Sequence, residues 1–204
     1  QLSQFLKFPA AIKEFGAKRL TTLVVVGDDA LLEEAVNAFA LSPIVIGYIP
    51  MGESVYAAAL SIPQGVNAAP TLAARRISKL DLGRVHERLF LGTLRAAGAG
   101  IELHSPTFSL FPKGYAEIEI ANLKQGSDAA DGVLEVTLIP FQGGMFKKPE
   151  APTLLRTTSC RIKAEKPLAV RVGAHGILKT PFQVDIIPKA IRMIVGRSVK
   201  RMKN

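Results

Sequence analysis

The sequence predicts an α/β unit built on an open parallel sheet, followed by an all-β unit of the antiparallel sandwich type. Two observations carry this. Up to about residue 81, short β-branched runs alternate with amphipathic helical stretches, the grammar of a parallel sheet. Beyond it, period-two segments separated by turn-rich pieces take over, and no long helical stretch interrupts them.

In the first half, Leu23–Val26 is a β-branched run ending at Gly27 and reads as a buried strand. Leu31–Phe39 follows as a helix, with Leu32, Ala35, Val36 and Phe39 on its apolar face and Glu33, Glu34 and Asn37 on the polar one. Ile44–Ile49 is a second buried strand stopped by Pro50, and Val55–Leu60 is again helical. Ala11–Arg19 reads as the end of a further helix, weakened by Gly16. In the second half, Ala116–Ala121, Val133–Ile139 and Ala169–Val172 are strands. Lys124–Gly132, Gln142–Pro152, Ala164–Pro167 and Gly173–Pro181 are turn-rich. The expected organisation is residues 1–81, 82–188 and a basic end, 189–204.

Composition narrows the function. The 204 residues are 48% hydrophobic and 21% charged, as in a globular protein. Aromatics are 6% with no tryptophan, which argues against a stacking platform for nucleic acid, and no specific nucleic-acid partner is expected. No apolar run is long enough to span a bilayer as a helix. The single cysteine, Cys160, has no internal disulfide partner and suggests a reducing, cytoplasmic setting; in a strand-like run it reads as a small buried hydrophobe. The chain begins at Gln1, which reads as a fragment of a longer protein. The net charge of +9 is concentrated at the end: 189–204 holds Lys189, Arg192, Arg197, Lys200, Arg201 and Lys203 and no acidic residue. As a helix, this end would align Ile191, Ile194, Val195, Val199 and Met202, with Gly196 a weak point; the alternative is a strand to about Val195. In either form the basic residues are candidate contacts for an anionic membrane, joined by the Met145–Phe146 tip and its flanking Lys147 and Lys148.

The first informative turn is Val26-Gly27-Asp28-Asp29-Ala30, between strand and helix. Ligand phosphates bind at such turns, where backbone N–H groups and a helix N-terminus converge. Two aspartates there would repel phosphate unless a metal bridges them; the other reading is that one of them caps the helix. Elsewhere, Gly98-Ala99-Gly100 starts a G-x-G-x-x-G that fails at Leu103, and His86 and His104 lack partners at metal-ligand spacing. No Walker A loop, G-x-S-x-G elbow or H-E-x-x-H occurs.

Four segments, in order, resemble the diacylglycerol kinase–type lipid kinase family, within the sphingosine kinase–like superfamily. GDDALLEEAVNAF resembles its G-G-D-G-T signature and following helix, matching at Gly27, Asp29, Leu32, Glu34, Val36 and Asn37. Asp28 and Ala30 replace glycines and Leu31 replaces the threonine. YIPMGESVYAAALSIP resembles its second nucleotide loop at Pro50, Gly52, Ala57, Leu60, Ile62 and Pro63, with Glu53, Ser54 and Val55 in place of its T-x-N-D core. RRISKLDLGRVHERLFL resembles the crossing into the second domain, with Asp81, Leu82, Gly83, Val85, Phe90 and Leu91 in place. The closing segment AHGILKTPFQVDIIPKAIRMIVG carries His175-Gly176-Ile177 where the family has D-G-E.

The resemblance implies a nucleotide-binding α/β domain lacking its opening unit, a β-sandwich, and ATP-dependent phosphorylation of a lipid hydroxyl. It implies nucleotide contacts at Gly27, Asp28, Asp29, Ala30, Gly52 and Glu53. Asp29 and Asp81 would be the catalytic and Mg²⁺-binding carboxylates, with ATP and Mg²⁺ as cofactors. A lipid substrate or an anionic membrane surface would be the partner, at the inner face of the membrane. Because Asp28, Ala30, Val55 and Ile177 depart from the pattern, the expected activity is weak or absent. In an active kinase His175 would be the substitute base, the other reading being a solvated loop residue. The alternatives are a non-catalytic nucleotide- or lipid-binding protein at a membrane surface, and a nicotinamide-dinucleotide kinase relative, whose family shares a similar loop.

Overall fold

The computed structural model describes residues 20–140, 151–173 and 176–197. The expected helix at Ala11–Arg19, the Met145–Phe146 tip, His175, and Lys200, Arg201 and Lys203 lie outside the described residues. Along the chain come β1 (Thr22–Gly27), α1 (Asp29–Phe39), β2 (Val45–Pro50), α2 (Val55–Ala59), a 3₁₀ turn (Gly65–Ala68) and α3 (Ala69–Ala74). Then follow β3 (Ile77–Val85), β4 (Arg88–Phe90), β5 (Thr93–Ala99), β6 (Ile101–His104), β7 (Ser109–Leu110), β8 (Tyr115–Ala121) and β9 (Leu134–Pro140). The last are β10 (Thr153–Thr157), β11 (Ser159–Ala164), β12 (Ala169–Val172), β13 (Gly176–Lys179) and β14 (Phe182–Ile194). The chain divides into two compact units, Gln1–Leu80 with Lys189–Asn204, and Asp81–Pro188.

The first unit is built on parallel strands. β1 pairs with β2 from Thr22↔Val45 to Gly27↔Pro50. The end of β14 joins β2 in parallel at Arg192↔Val45 and Met193↔Ile46. Leu32, Ala35, Val36 and Phe39, the face expected from the helical period, are all buried in α1. The polar face differs from expectation: Glu34 and Asn37 are exposed, but Glu33 is buried. At the chain's end the strand reading is the one that forms. Ala190, Ile191, Met193 and Ile194 are buried around an exposed Arg192, so burial against β2 overrides the helical stripe.

The second unit is a sandwich. One sheet has the order β10-β9-β8-β5-β12-β13, antiparallel throughout. Facing it, β6 and the first half of β14 flank β11, and β7 pairs with β6. Period two builds the core: Leu94 and Ala96 of β5, Ile118 and Ile120 of β8, and Val136 of β9 meet Leu103, Ile162 and Val184 in one buried cluster. Cys160 is buried in that cluster, and burial pushes its thiol up to about 12, with the Asp185 charge adding to the effect. In the β3–β4 hairpin, Gly83 lies opposite Phe90, whose ring covers it; a Cβ on Gly83 would fall 2.1 Å from Phe90 Cζ. The stretch Gly173–Pro181, expected as turn, contains β13, whose Ile177 pairs with Arg171. Short strands inside Gly-rich sequence are hidden from a pattern reading because the partner strand, not the local period, holds them.

Candidate functional site

The β1–α1 turn brings two carboxylates to the N-terminus of α1, and they take different roles. Asp28 is the N-cap: its Oδ1 accepts the Leu31 N–H at 2.9 Å, while its backbone carbonyl accepts the Leu32 N–H at 3.2 Å. Its charge sits favourably at the positive end of the helix dipole. Asp29, in the first turn, points instead at the β2–α2 turn. Its Oδ1 accepts the Tyr48 hydroxyl at 3.1 Å and the Ser54 hydroxyl; its Oδ2 accepts the Val55 N–H at 2.9 Å. Ser54 in turn caps α2 by accepting the Ala57 N–H at 2.9 Å. One carboxylate therefore holds the two strand-to-helix turns together.

A second polar pair lies beside it. The Tyr56 hydroxyl donates to Glu33 Oε1, joining α1 to α2, and this is why Glu33 turns inward. Burial, then the Glu33 charge, pushes the Tyr56 phenol far above its ordinary value. Tyr48 is fully buried and is pushed up to about 12. Burial is the largest cause, the Asp29 and Asp28 charges add to it, and the Ser54 hydroxyl opposes it. Sequence reading missed Tyr48, Ser54, Tyr56 and Glu33; a tyrosine on each of two neighbouring elements, facing an acidic helix start, was the available signal.

The sign of the resulting pH effect is fixed. A phenol raised in the folded state keeps its proton when the unfolded chain, near pH 10, has lost it. Its stabilising contribution is complete below about pH 10 and is lost as pH rises through about 12. Urea denaturation from pH 8 to 11.5 is expected to show stability falling above pH 10, and Tyr48→Phe to flatten that fall. An unchanged slope in the variant counts against the assignment.

The remaining expected positions are spread. Ala30 is half-buried; Gly52 and Glu53 are exposed on the β2–α2 turn, and nothing approaches within 4 Å of a Cβ placed on Gly52. Gly27 packs close to Leu31, whose Cδ2 would lie 2.8 Å from its Cβ. Asp81 belongs to the other unit and is 1% exposed. Its Oδ2 accepts the Gly132 N–H at 2.7 Å, and its backbone N–H donates to Ala129 at 2.6 Å. Through Gly132 the carboxylate pins the β8–β9 loop, and Asn122 Nδ2 adds bonds to the Asp81 and Leu91 backbone carbonyls at 2.7 and 2.9 Å. Ile177, in the D-G-E position, is an exposed hydrocarbon and accepts no proton. Lys189, Arg192 and Arg197 are exposed.

As a Mg²⁺ site this set fits poorly within either unit. Asp29 already accepts three protein hydrogen bonds, most of the roughly four that a carboxylate takes. Among the described residues no three His, Cys, Asp or Glu side chains gather around a point that a metal would occupy.

No protein-family model matches the chain, and no curated protein matches its sequence. Solved structures do match its shape. One described as "a putative diacylglycerol kinase from Bacillus anthracis str. Sterne" aligns with a TM-score of 0.81 at 16% identity, over 96% of this chain and 85% of that one. A second crystal structure described in the same words gives 0.83 at 16% identity, over 97% and 86%. A third, described as a diacylglycerol kinase of that organism, gives 0.80 at 16% identity, over 94% and 82%. The chain has the fold of these lipid kinases. At 16% identity the likeness speaks for the fold, and the chemistry rests on the residues present.

Proposed function

We propose that the protein is a lipid kinase–like protein that binds a lipid at a membrane surface, with little or no phosphoryl transfer at the β1–α1 and β2–α2 turns. The observation that carries this is the Asp28 carboxylate on the Leu31 N–H. It occupies the N-terminal end of α1, where a nucleotide phosphate would otherwise find donors and a positive dipole. A phosphate brought there meets a fixed negative charge in place of a glycine backbone. The engagement of Asp29 by Tyr48, Ser54 and Val55 supports the same reading, since an Mg²⁺ ligand would have to share those bonds. The proposed partner is a lipid at a membrane surface, approached by the basic residues Lys189, Arg192 and Arg197.

The test is transfer from labelled ATP to diacylglycerol in mixed micelles with Mg²⁺, with a parallel arm offering a nicotinamide dinucleotide. Turnover is expected below about 0.01 s⁻¹, against roughly 1–100 s⁻¹ for working kinases. Turnover within the working range on the lipid overturns the reading, and transfer to the dinucleotide alone assigns the other kinase class.

A further inference from the structure

We infer that the second unit carries a phosphate-binding pocket centred on Arg161, independent of the turns described above. The outer face of the β14-β11-β6 sheet is polar because β11 alternates: Cys160 and Ile162 enter the core, while Arg161 and Lys163 are exposed. Register places Arg161 directly between Gln183 of β14 and His104 of β6. It lines an open surface cavity of about 540 Å³ together with Arg84, His86, Glu87, Phe182, Gln183 and Asp185, and His104 lies beside it on β6.

The charges in this cavity are not equally available. Asp185 is consumed by its neighbours: Arg84 reaches its Oδ2 at 3.5 Å and Gln183 Nε2 donates to its Oδ1 at 2.9 Å. That carboxylate therefore positions one guanidinium and one amide beside Arg161. His104 is held on the other side, Nε2 to Glu102 at 3.0 Å and Nδ1 to Ser109 at 3.2 Å. The Arg161 guanidinium has no hydrogen bond or ion pair with any described residue. A planar fork of donors, left open beside a second guanidinium, matches a group with several acceptor oxygens in different directions, which a phosphate supplies. Glu87, which also lines the cavity, adds an acceptor suited to an ammonium or hydroxyl next to the phosphate. The chemistry shared by a free phosphomonoester and a lipid headgroup is thus a phosphate with a neighbouring donor.

Arginine Nε–H signals of the full chain, titrated with inorganic phosphate and with O-phosphoethanolamine, test this. Saturable shifts of Arg161 and Arg84 are expected below about 10 mM. Arg161→Gln should weaken binding at least about tenfold; Arg161→Lys should fall between, because it keeps the charge and loses the fork. Arg171→Gln, an exposed arginine on β12 of the opposite sheet, should change nothing. Tighter binding of O-phosphoethanolamine that is lost in Glu87→Gln assigns a free zwitterion. Co-sedimentation with phosphatidic acid vesicles that is lost in Arg161→Gln assigns a lipid. Non-saturating shifts with both small probes and no Arg161-dependent sedimentation overturn the proposal, as does an Arg171→Gln loss equal to that of Arg161→Gln. Arg161 is exposed, so a melting temperature unchanged by its substitution confirms that the fold is intact.

Discussion

Gly196→Ala is expected to destabilise the first unit by about 3 kcal/mol or more, the upper end for an overpacked site. A Cβ at Gly196 would fall 1.7 Å from the Ser61 carbonyl oxygen and 2.5 Å from its carbon, so the obstacle is backbone and no rotamer relieves it. The backbone on both sides is already committed. The Gly196 N–H donates to Leu60 at 2.9 Å and the Val195 N–H to Arg76 at 2.8 Å. Ser61 sits at φ 56°, a left-handed conformation that a serine holds only under constraint, so it has little freedom to retreat. The contact fastens the chain after β14 to the turn after α2, and losing it loosens the end of β14 that pairs with β2. Chemical denaturation of Gly196→Ala against Gly52→Ala measures this, since Gly52 has open space around it and its change should cost under about 0.5 kcal/mol. A loss below about 1 kcal/mol at Gly196 would mean that the 60–62 turn moves freely.

The same glycine shows where the sequence is opaque. On its own it reads as a helix breaker in a basic tail; its actual role depends on Ser61, far away in the chain. Elements whose period was their own were legible: the apolar face of α1, the strands β1 and β2, and the alternation of β8, β9 and β12. Elements held by partners were not. β13 lies in Gly-rich sequence, and β14 carries a pattern that suits a helix equally well until β2 supplies its pairing. At the candidate site, the two turns and the aspartate pair of the first were visible because a strand followed by an acidic helix start is a local signal. That Asp28 caps while Asp29 clamps was not, because both readings suit the same two letters. The inward turn of Glu33 was hidden for the same reason: its partner, Tyr56, lies on another helix.

Asp29→Ala is expected to cost about 2–3 kcal/mol with no nucleotide present, and this separates a clamp from a ligand site. The substitution removes the acceptor of three donors at once. They will not all suffer alike. Val55 is exposed, and water replaces much of its bond. The Ser54 hydroxyl still caps α2 as an acceptor but loses the oxygen it donates to. Tyr48 is buried, and its hydroxyl is left with the Gly27 carbonyl at 3.3 Å and the neighbouring Ser54 hydroxyl, so most of the penalty falls there. A buried donor deprived of its acceptor costs about 1–3 kcal/mol, which sets the scale of the estimate. Asp29→Asn keeps an acceptor oxygen and should cost roughly half as much. If the carboxylate serves the fold, the loss is the same with and without 10 mM Mg²⁺ and ATP, and Tyr48→Phe combined with Asp29→Ala is less than additive because the two share one bond. If it serves a metal–nucleotide complex, Asp29→Ala alone costs little, Mg²⁺ with ATP raises the melting temperature of the unaltered protein, and the substitution abolishes that rise. Three protein donors converging on one carboxylate favour the first outcome, because an ion competing for those oxygens would have to break the link between the two turns that hold it.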